Sequence, residues 1–172
     1  KYNEMIREYA ETHQVKTIIL VSRFPLYLLG TRYNNGEGGI EEGTSVPFDL
    51  VNNITANTKS NDADRLQRVI ERYREDIHQL TESYNVIVFN PIPVVGWNVP
   101  SYYGKLFMHS PDLTSTNDIT IYHSFDQYLE RTKIFKEILN SIDRDNLYTY
   151  EVEKLFCNKV DRRCKANEGN NL

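Results

Sequence analysis

Two hydrophobic spacings alternate along the chain. Over residues 2–14, Tyr2, Met5, Ile6, Tyr9 and Ala10 recur three and four apart, the stripe of a helix with one buried face. Residues 15–21, VKTIILV, then change to a β-branched run of strand length. The longest periodic segment places Leu66, Val69, Ile70, Tyr73, Ile77, Leu80 and Tyr84 on one face, behind possible caps at Ser60, Asn61 and Asp62. Residues 85–89, NVIVF, follow at once and are continuously apolar, the pattern of a strand covered on both faces. A further helix is signalled by Ser124 and Gln127 at capping-box spacing. Phe125, Tyr128, Leu129, Thr132, Phe135, Leu139 and Ile142 turn inward behind them. A short strand is expected near residues 147–150.

Strand, helix, strand implies a parallel unit. The whole pattern predicts an α/β fold, a three-layer sandwich with a mainly parallel sheet, in one domain over residues 1–172. In such sheets ligands gather at the carboxyl ends of the strands. The first strand runs into Ser22, Arg23, Phe24 and Pro25, and the second into FNPIPVVGWNVP at 89–100. Both loops should edge one crevice, with the chain's only tryptophan, Trp97, facing the Arg23 loop. Between Gly30 and Ser60 lies a segment rich in Gly, Asn, Thr and Glu, including NNGEGG at 34–39. Connections of that length without their own pattern are usually functional, and a mobile flap over the crevice is expected. The triplet Asn53-Ile54-Thr55 matches a glycosylation sequon and carries no weight.

Composition narrows the function. A chain of 172 residues that is 40% hydrophobic holds enough apolar material for one core. A net charge of −4 offers no cationic surface for phosphates, so nucleic acid is not an expected partner. No run approaches the roughly 18 apolar residues of a membrane span. The chain begins with Lys1 and lacks a basic-then-apolar leader, so it is expected to be processed or part of something longer. Cys157 and Cys164 lie in FCNKVDRRCK; a disulfide and two separate thiols both remain open, and a metal site is disfavoured because the nearest histidine, His123, is far upstream.

A serine hydrolase needs a nucleophile, a base and a group that orients the base. No serine here sits in a Gly-x-Ser-x-Gly elbow or follows Gly-Asp, and no histidine has Asp three positions earlier. Glu75 and His78 share a helix face inside a charged stripe and read as solvated surface. His109 and His123 flank a Ser/Thr/Asp loop but carry no sign of a base. Arg23 is more informative: a guanidinium at a strand end presents fixed donors to an oxyanion or carboxylate, with a structural salt bridge as the equal alternative. Trp97 and the nearby Tyr27, Tyr33, Tyr102 and Tyr103 suit stacking on sugar rings or plain packing. Nothing calls for a cofactor or a metal.

Three stretches, TIILVSRFPLYL at 17–28, NPIPVVGWNVP at 90–100 and LFCNKVDRRC at 155–164, together resemble the periplasmic SGNH-hydrolase-like domains fused to membrane O-acyltransferases of the O-antigen acetylase type. The resemblance implies an SGNH (flavodoxin-like) sandwich that handles acyl groups on a carbohydrate acceptor of the cell envelope, such as lipopolysaccharide. It implies a membrane acyltransferase domain as partner on the same polypeptide, in the periplasm and tethered to the inner membrane. It makes Cys157 and Cys164 the cysteine pair that precedes the family's last catalytic block. The Gly-Asp-Ser and Asp-x-x-His blocks of the family match no position here, so no catalytic residue is assigned and the chain alone is expected to be inactive, with a sheet edge uncovered by a missing first strand. Arg23 becomes an oxyanion or substrate-pocket candidate and Trp97 a pocket wall. The alternative from another class is a noncatalytic glycan- or protein-binding α/β module.

Overall fold

The computed structural model describes residues 2–44, 63–109 and 120–167. The proposed caps at residues 60–62, the sequon and residues 45–60 of the expected flap lie outside them. In chain order the elements are α1 (Tyr2–Thr12), β1 (Thr17–Leu20), α2 (Phe24–Leu29), α3 (Ala63–Thr81), β2 (Asn85–Phe89), α4 (Val99–His109), β3 (Tyr122–Ser124), α5 (Phe125–Asn140), β4 (Leu147–Tyr150), a 3₁₀ turn (Val152–Leu155), β5 (Cys157–Asn158) and β6 (Arg163–Lys165).

The principal sheet has the order β1-β2-β4 and is parallel at both junctions. Parallel neighbours cannot be joined by a tight turn, which is why long helical crossovers separate them in sequence. The register sets Ile18 opposite Val86, Leu20 opposite Val88, and Val86 opposite Leu147. That face meets the core, formed with Ala10 of α1, Phe24 and Leu28 of α2, Val69 and Ile77 of α3, and Phe135, Ile138 and Leu139 of α5. Phe135 lies at its centre, its ring 5.3 Å from that of Phe24 and 6.0 Å from that of Tyr73.

The α/β architecture and its parallel sheet agree with the hydrophobic pattern, but the expected burial of both sheet faces does not. All four core helices serve one side. On the other, Ile19, Ile87 and Tyr148 form a row across the strands, with Ile19 58% and Tyr148 52% exposed. The described residues therefore supply two layers of the sandwich, and a continuous apolar strand run is paired with an uncovered sheet face.

The second sheet is small and antiparallel, of order β3-β6-β5. Cys157 and Cys164 stand opposite each other on β5 and β6 and form a disulfide. Cys164 is fully buried and packs with Phe125 and Tyr128, so the bridge fastens this hairpin to α5. Ser124 caps α5 through its hydroxyl, which accepts from the Gln127 N–H at 3.3 Å, as the capping-box spacing predicts. Arg65, buried at the start of α3, donates to the Leu28 carbonyl at 2.7 Å and so satisfies the end of α2.

Candidate functional site

β1 and β2 are parallel, so their carboxyl ends and the segments that leave them lie at one edge of the sheet. Between them lies a cavity of about 460 Å³. Ser22, Arg23, Pro25 and Leu26 form one side, residues 91–94 (PIPV) another, and Tyr33, Tyr128, Arg131 and Thr132 complete the wall. The prolines suit this place because the segment leaves the ladder, and a residue without an N–H loses nothing there. The walls are mainly apolar, with two arginines as the charged groups.

Arg23 precedes α2 and its side chain is about half exposed. Its Nη2 donates to Glu41 Oε1 at 2.5 Å. The same carboxylate accepts from Arg32 Nη1 at 3.0 Å and from the Tyr33 N–H at 3.3 Å. Burial alone would raise the Glu41 pKa, but the hydrogen bonds from Arg23, the Tyr33 backbone and Arg32 outweigh it and hold the carboxyl below its ordinary value. Glu41 thus stays ionised and orients Arg23 at the rim.

Trp97 lies in an adjoining groove of about 560 Å³ lined also by Ile40, Glu41, Glu42, Asn98, Tyr102 and Lys105. Arg23 and Trp97 therefore do not share one cavity, as their strand exits suggested. Val94 lines both spaces, and Glu41 lines the groove while holding Arg23. The indole stacks on Tyr102, with ring centres 4.5 Å apart and planes 13° apart. It also presses on the backbone at Gly39, where an added Cβ would stand 2.8 Å from the indole. Gly96 has φ +85°, and a Cβ there would meet the Gly39 carbonyl oxygen at 2.7 Å, so both conformation and space demand glycine.

Asn35 explains that close approach. Fully buried, it accepts from the Glu37 and Gly39 N–H groups, both at 2.8 Å, and donates to the Val95 carbonyl at 2.9 Å. NNGEGG was expected in a mobile flap. Instead residues 34–40 are pinned to the tryptophan loop, closed by a bridge between Asn34 and Ile40 and tied to β6 by an ion pair between Glu37 and Arg163. The sequence held a sign of this, since Asn two residues before Gly forms local turns through its side chain.

Tyr33 lies at the crevice, where the sequence places it among the tyrosines near Trp97; Arg131 and Glu153 carry no sequence signal. Tyr33 is buried, and burial raises the pKa of its phenol. Arg131, on α5, donates through Nη2 to the Thr31 carbonyl at 2.7 Å and lies 5.4 Å from the centre of the Tyr33 ring. Glu153, 4% exposed, accepts from Lys136 Nζ at 2.7 Å and from Asn90 Nδ2 at 3.1 Å. Burial would raise Glu153 as well, but Lys136 and Asn90 hold it below the ordinary carboxylate range. The Asn90 bond fixes the exit of β2 to the 3₁₀ turn, and the Lys136 ion pair ties that turn to α5.

The histidines stand apart from both spaces. His109 is exposed at the end of α4, with its Nδ1 2.8 Å from the Lys105 carbonyl. His123 is 1% exposed on β3, opposite Cys164, with no partner for Nδ1. Burial above all, aided by the nearby charge of Arg163 against that of Glu37, lowers its pKa to about 4. A free histidine titrates near 6.5. The unfolded chain thus takes up a proton that the folded chain refuses, and stability present above about pH 6.5 is lost as pH falls toward 4. Urea unfolding is expected to show about 2 kcal/mol less stability at pH 5 than at pH 7 from this group. His123→Gln should remove that part of the pH dependence, and an unchanged slope in the variant would contradict the assignment.

Comparison with curated proteins and with solved structures gives no match. The sequence model of the family described as SGNH domain (fused to AT3 domains) matches residues 1–172. With a parallel α/β sheet, a cavity at its strand exits and a match over the whole chain, the protein belongs to the SGNH domains that are fused to AT3 domains.

Proposed function

We propose that the chain is part of the extracytoplasmic domain of an O-acyltransferase that transfers acetyl or other acyl groups to cell-envelope polysaccharide. An acyltransferase-3 membrane domain on the same polypeptide supplies the acyl group. The observation that carries the reading is the pair of adjoining spaces. One is apolar and rimmed by Arg23, suited to an acyl group; the other is polar and lined by Trp97, Tyr102, Glu42 and Asn98, suited to a sugar. Transfer needs the two substrates side by side, and Val94 is all that the lining residues have in common.

In this reading the reacting acyl carbon lies near Arg23. A guanidinium carries five N–H donors in a rigid fork, and the Glu41 contact occupies Nη2. The remaining donors face the charge that develops on the carbonyl oxygen as the donor ester bond breaks and the new ester forms. Trp97 acts as a wall of the acceptor groove, braced by Tyr102. The nucleophile and base are the family's Gly-Asp-Ser and Asp-x-x-His blocks, which no position of these 172 residues matches. They are proposed to come from adjoining chain, which the uncovered sheet face supports. The disulfide supports an oxidising compartment, and among the described residues no helix is long and apolar enough to cross a membrane.

The coding sequence on either side tests this reading. A Gly-Asp-Ser block upstream, an Asp-x-x-His block just downstream and several membrane spans are expected. Their absence would favour a noncatalytic glycan- or protein-binding module.

A further inference from the structure

The outer surface of the disulfide hairpin has no explanation in the packing of the domain. Strand alternation turns Cys157, Cys164 and His123 to one face, where Cys164 and His123 are buried. The other face presents Tyr122, Arg163 and Lys165, which with Leu155 and Phe156 edge a shallow space of about 240 Å³. Leu155 is 68% exposed. Val160, at the hairpin tip, is 89% exposed, the most of any large hydrophobic side chain among the described residues. The turn does not need it there. Asn158 already closes the turn, its side chain accepting from the Val160 and Asp161 N–H groups at 2.8 and 3.3 Å. Residues 154–165, KLFCNKVDRRCK, also hold five basic residues and one acidic, in a chain of net charge −4. Lys154, Arg162 and Arg163 meet Glu151, Asp126 and Glu37 in half-exposed ion pairs. Lys159 and Lys165 are exposed and enter none of the ion pairs among the described residues. Lys159 adjoins Val160, and Lys165 stands opposite Tyr122 across the strands. One exposed apolar residue on a surface is ordinary, but several grouped with unpaired cations on one hairpin mark a contact surface.

We propose that this hairpin seats on an anionic membrane surface. Val160, Leu155 and Phe156 enter the boundary between headgroups and acyl chains, Tyr122 lies at headgroup level, and Lys159 and Lys165 meet the lipid phosphates. Apolar insertion and basic attraction are each weak alone and bind usefully in combination. A ring with a polar tip suits the interface, and lysine keeps its charge in water while its stem lies along apolar surface. Cys164 packs on Phe125 and Tyr128, and Tyr128 also lines the cavity at the strand exits, so a seated hairpin sets that cavity beside the bilayer. The acyltransferase reading supplies the tether that keeps the domain near the membrane and makes a weak contact sufficient. The attachment itself does not rest on that reading.

The test is co-sedimentation of the 172-residue chain with vesicles of equimolar phosphatidylglycerol and phosphatidylcholine, and with vesicles of phosphatidylcholine alone. Binding to the mixed vesicles is expected to be the stronger and to weaken in high salt. Val160→Asp alters a side chain that lies in water, so the urea midpoint should be unchanged while binding falls more than tenfold. Lys159→Gln and Lys165→Gln should each lower binding about fivefold, the worth of one basic residue at an anionic surface. Lys16→Gln, the same charge change just before β1, should leave binding unaltered. No binding to the mixed vesicles, or an equal loss in Lys16→Gln, overturns the proposal. So does binding that survives Val160→Asp but falls in Ile19→Asp, which would put the contact on the open sheet face. Absent vesicle binding, with Val160→Asp instead weakening association with the separately expressed acyltransferase domain, would assign the hairpin to a protein contact and likewise overturn it. Vesicle binding that depends on Val160, in a protein whose polysaccharide acylation proves absent, would retain this surface and remove only the acyltransferase reading.

Discussion

Arg23→Ala in the full-length polypeptide is expected to lower kcat/KM for acyl transfer about a hundredfold, the effect typical of losing one preorganised donor to an oxyanion. Stability should change by less than about 1 kcal/mol, because the Arg23–Glu41 pair is half exposed at its arginine end and such pairs contribute little. Glu41 would keep Arg32 and the Tyr33 N–H, so the carboxylate is not left bare. Arg23→Lys keeps the charge but loses the planar fork and should recover only part of the rate. The two roles left open by the sequence separate here: a purely structural arginine would lose activity only in step with unfolding. Unchanged transfer in Arg23→Ala would remove the substrate-site role.

Phe135→Ala should have the largest effect on stability, about 3–5 kcal/mol. Phe135 is 1% exposed and its ring meets those of Phe24 and Tyr73, so truncation leaves a cavity where α2, α3 and α5 converge. Set against 5–15 kcal/mol for a whole domain, the loss is severe. Tyr148→Ala, on the uncovered sheet face and 52% exposed, should cost within about 0.5 kcal/mol. Urea unfolding followed by the fluorescence of Trp97, the only tryptophan, measures both. Equal costs for the two variants would show that the open face is as tightly packed as the core face.

The long periodic segments were legible because their apolar spacing is imposed by the core. The strand NVIVF is found at Asn85–Phe89 as read, and α3 and α5 lie where their stripes put them, with shifted ends. Shorter elements were missed although their chemistry was visible. In α2, Pro25 stands in the first turn and Gly30 takes the left-handed conformation just past the end. In α4, Asn98 caps the Ser101 N–H and Pro100 stands in the first turn, but the prolines of residues 91–100 are equally the signature of a loop. The strands of the small sheet are two or three residues long, too short for any alternation to show.

The site was legible by halves. Arg23 and the PIPV segment could be placed by topology, since exits of parallel strands must open at one edge. Tyr33 was among the tyrosines expected at the crevice edge, but Arg131 could not be placed, because it comes from α5 and only tertiary packing brings it to the strand exits. Trp97 was expected across one crevice from Arg23, and it lies on the expected loop but lines the adjoining groove instead. The tie from Asn35 to Val95, the bulk of Val94 and the position of Glu41 set that separation, and none has a periodic signature. The open sheet face was hidden for the opposite reason: an apolar run reads the same whether its second cover lies nearby in the chain or elsewhere.

The O-acyl ester content of envelope polysaccharide, from cells with the intact gene and from cells lacking the codons for residues 1–172 in frame, tests the central claim most directly. Ester is expected with the intact gene, lost on deletion and restored by the unaltered gene supplied in trans. Ester content that does not change when the domain is removed would contradict it.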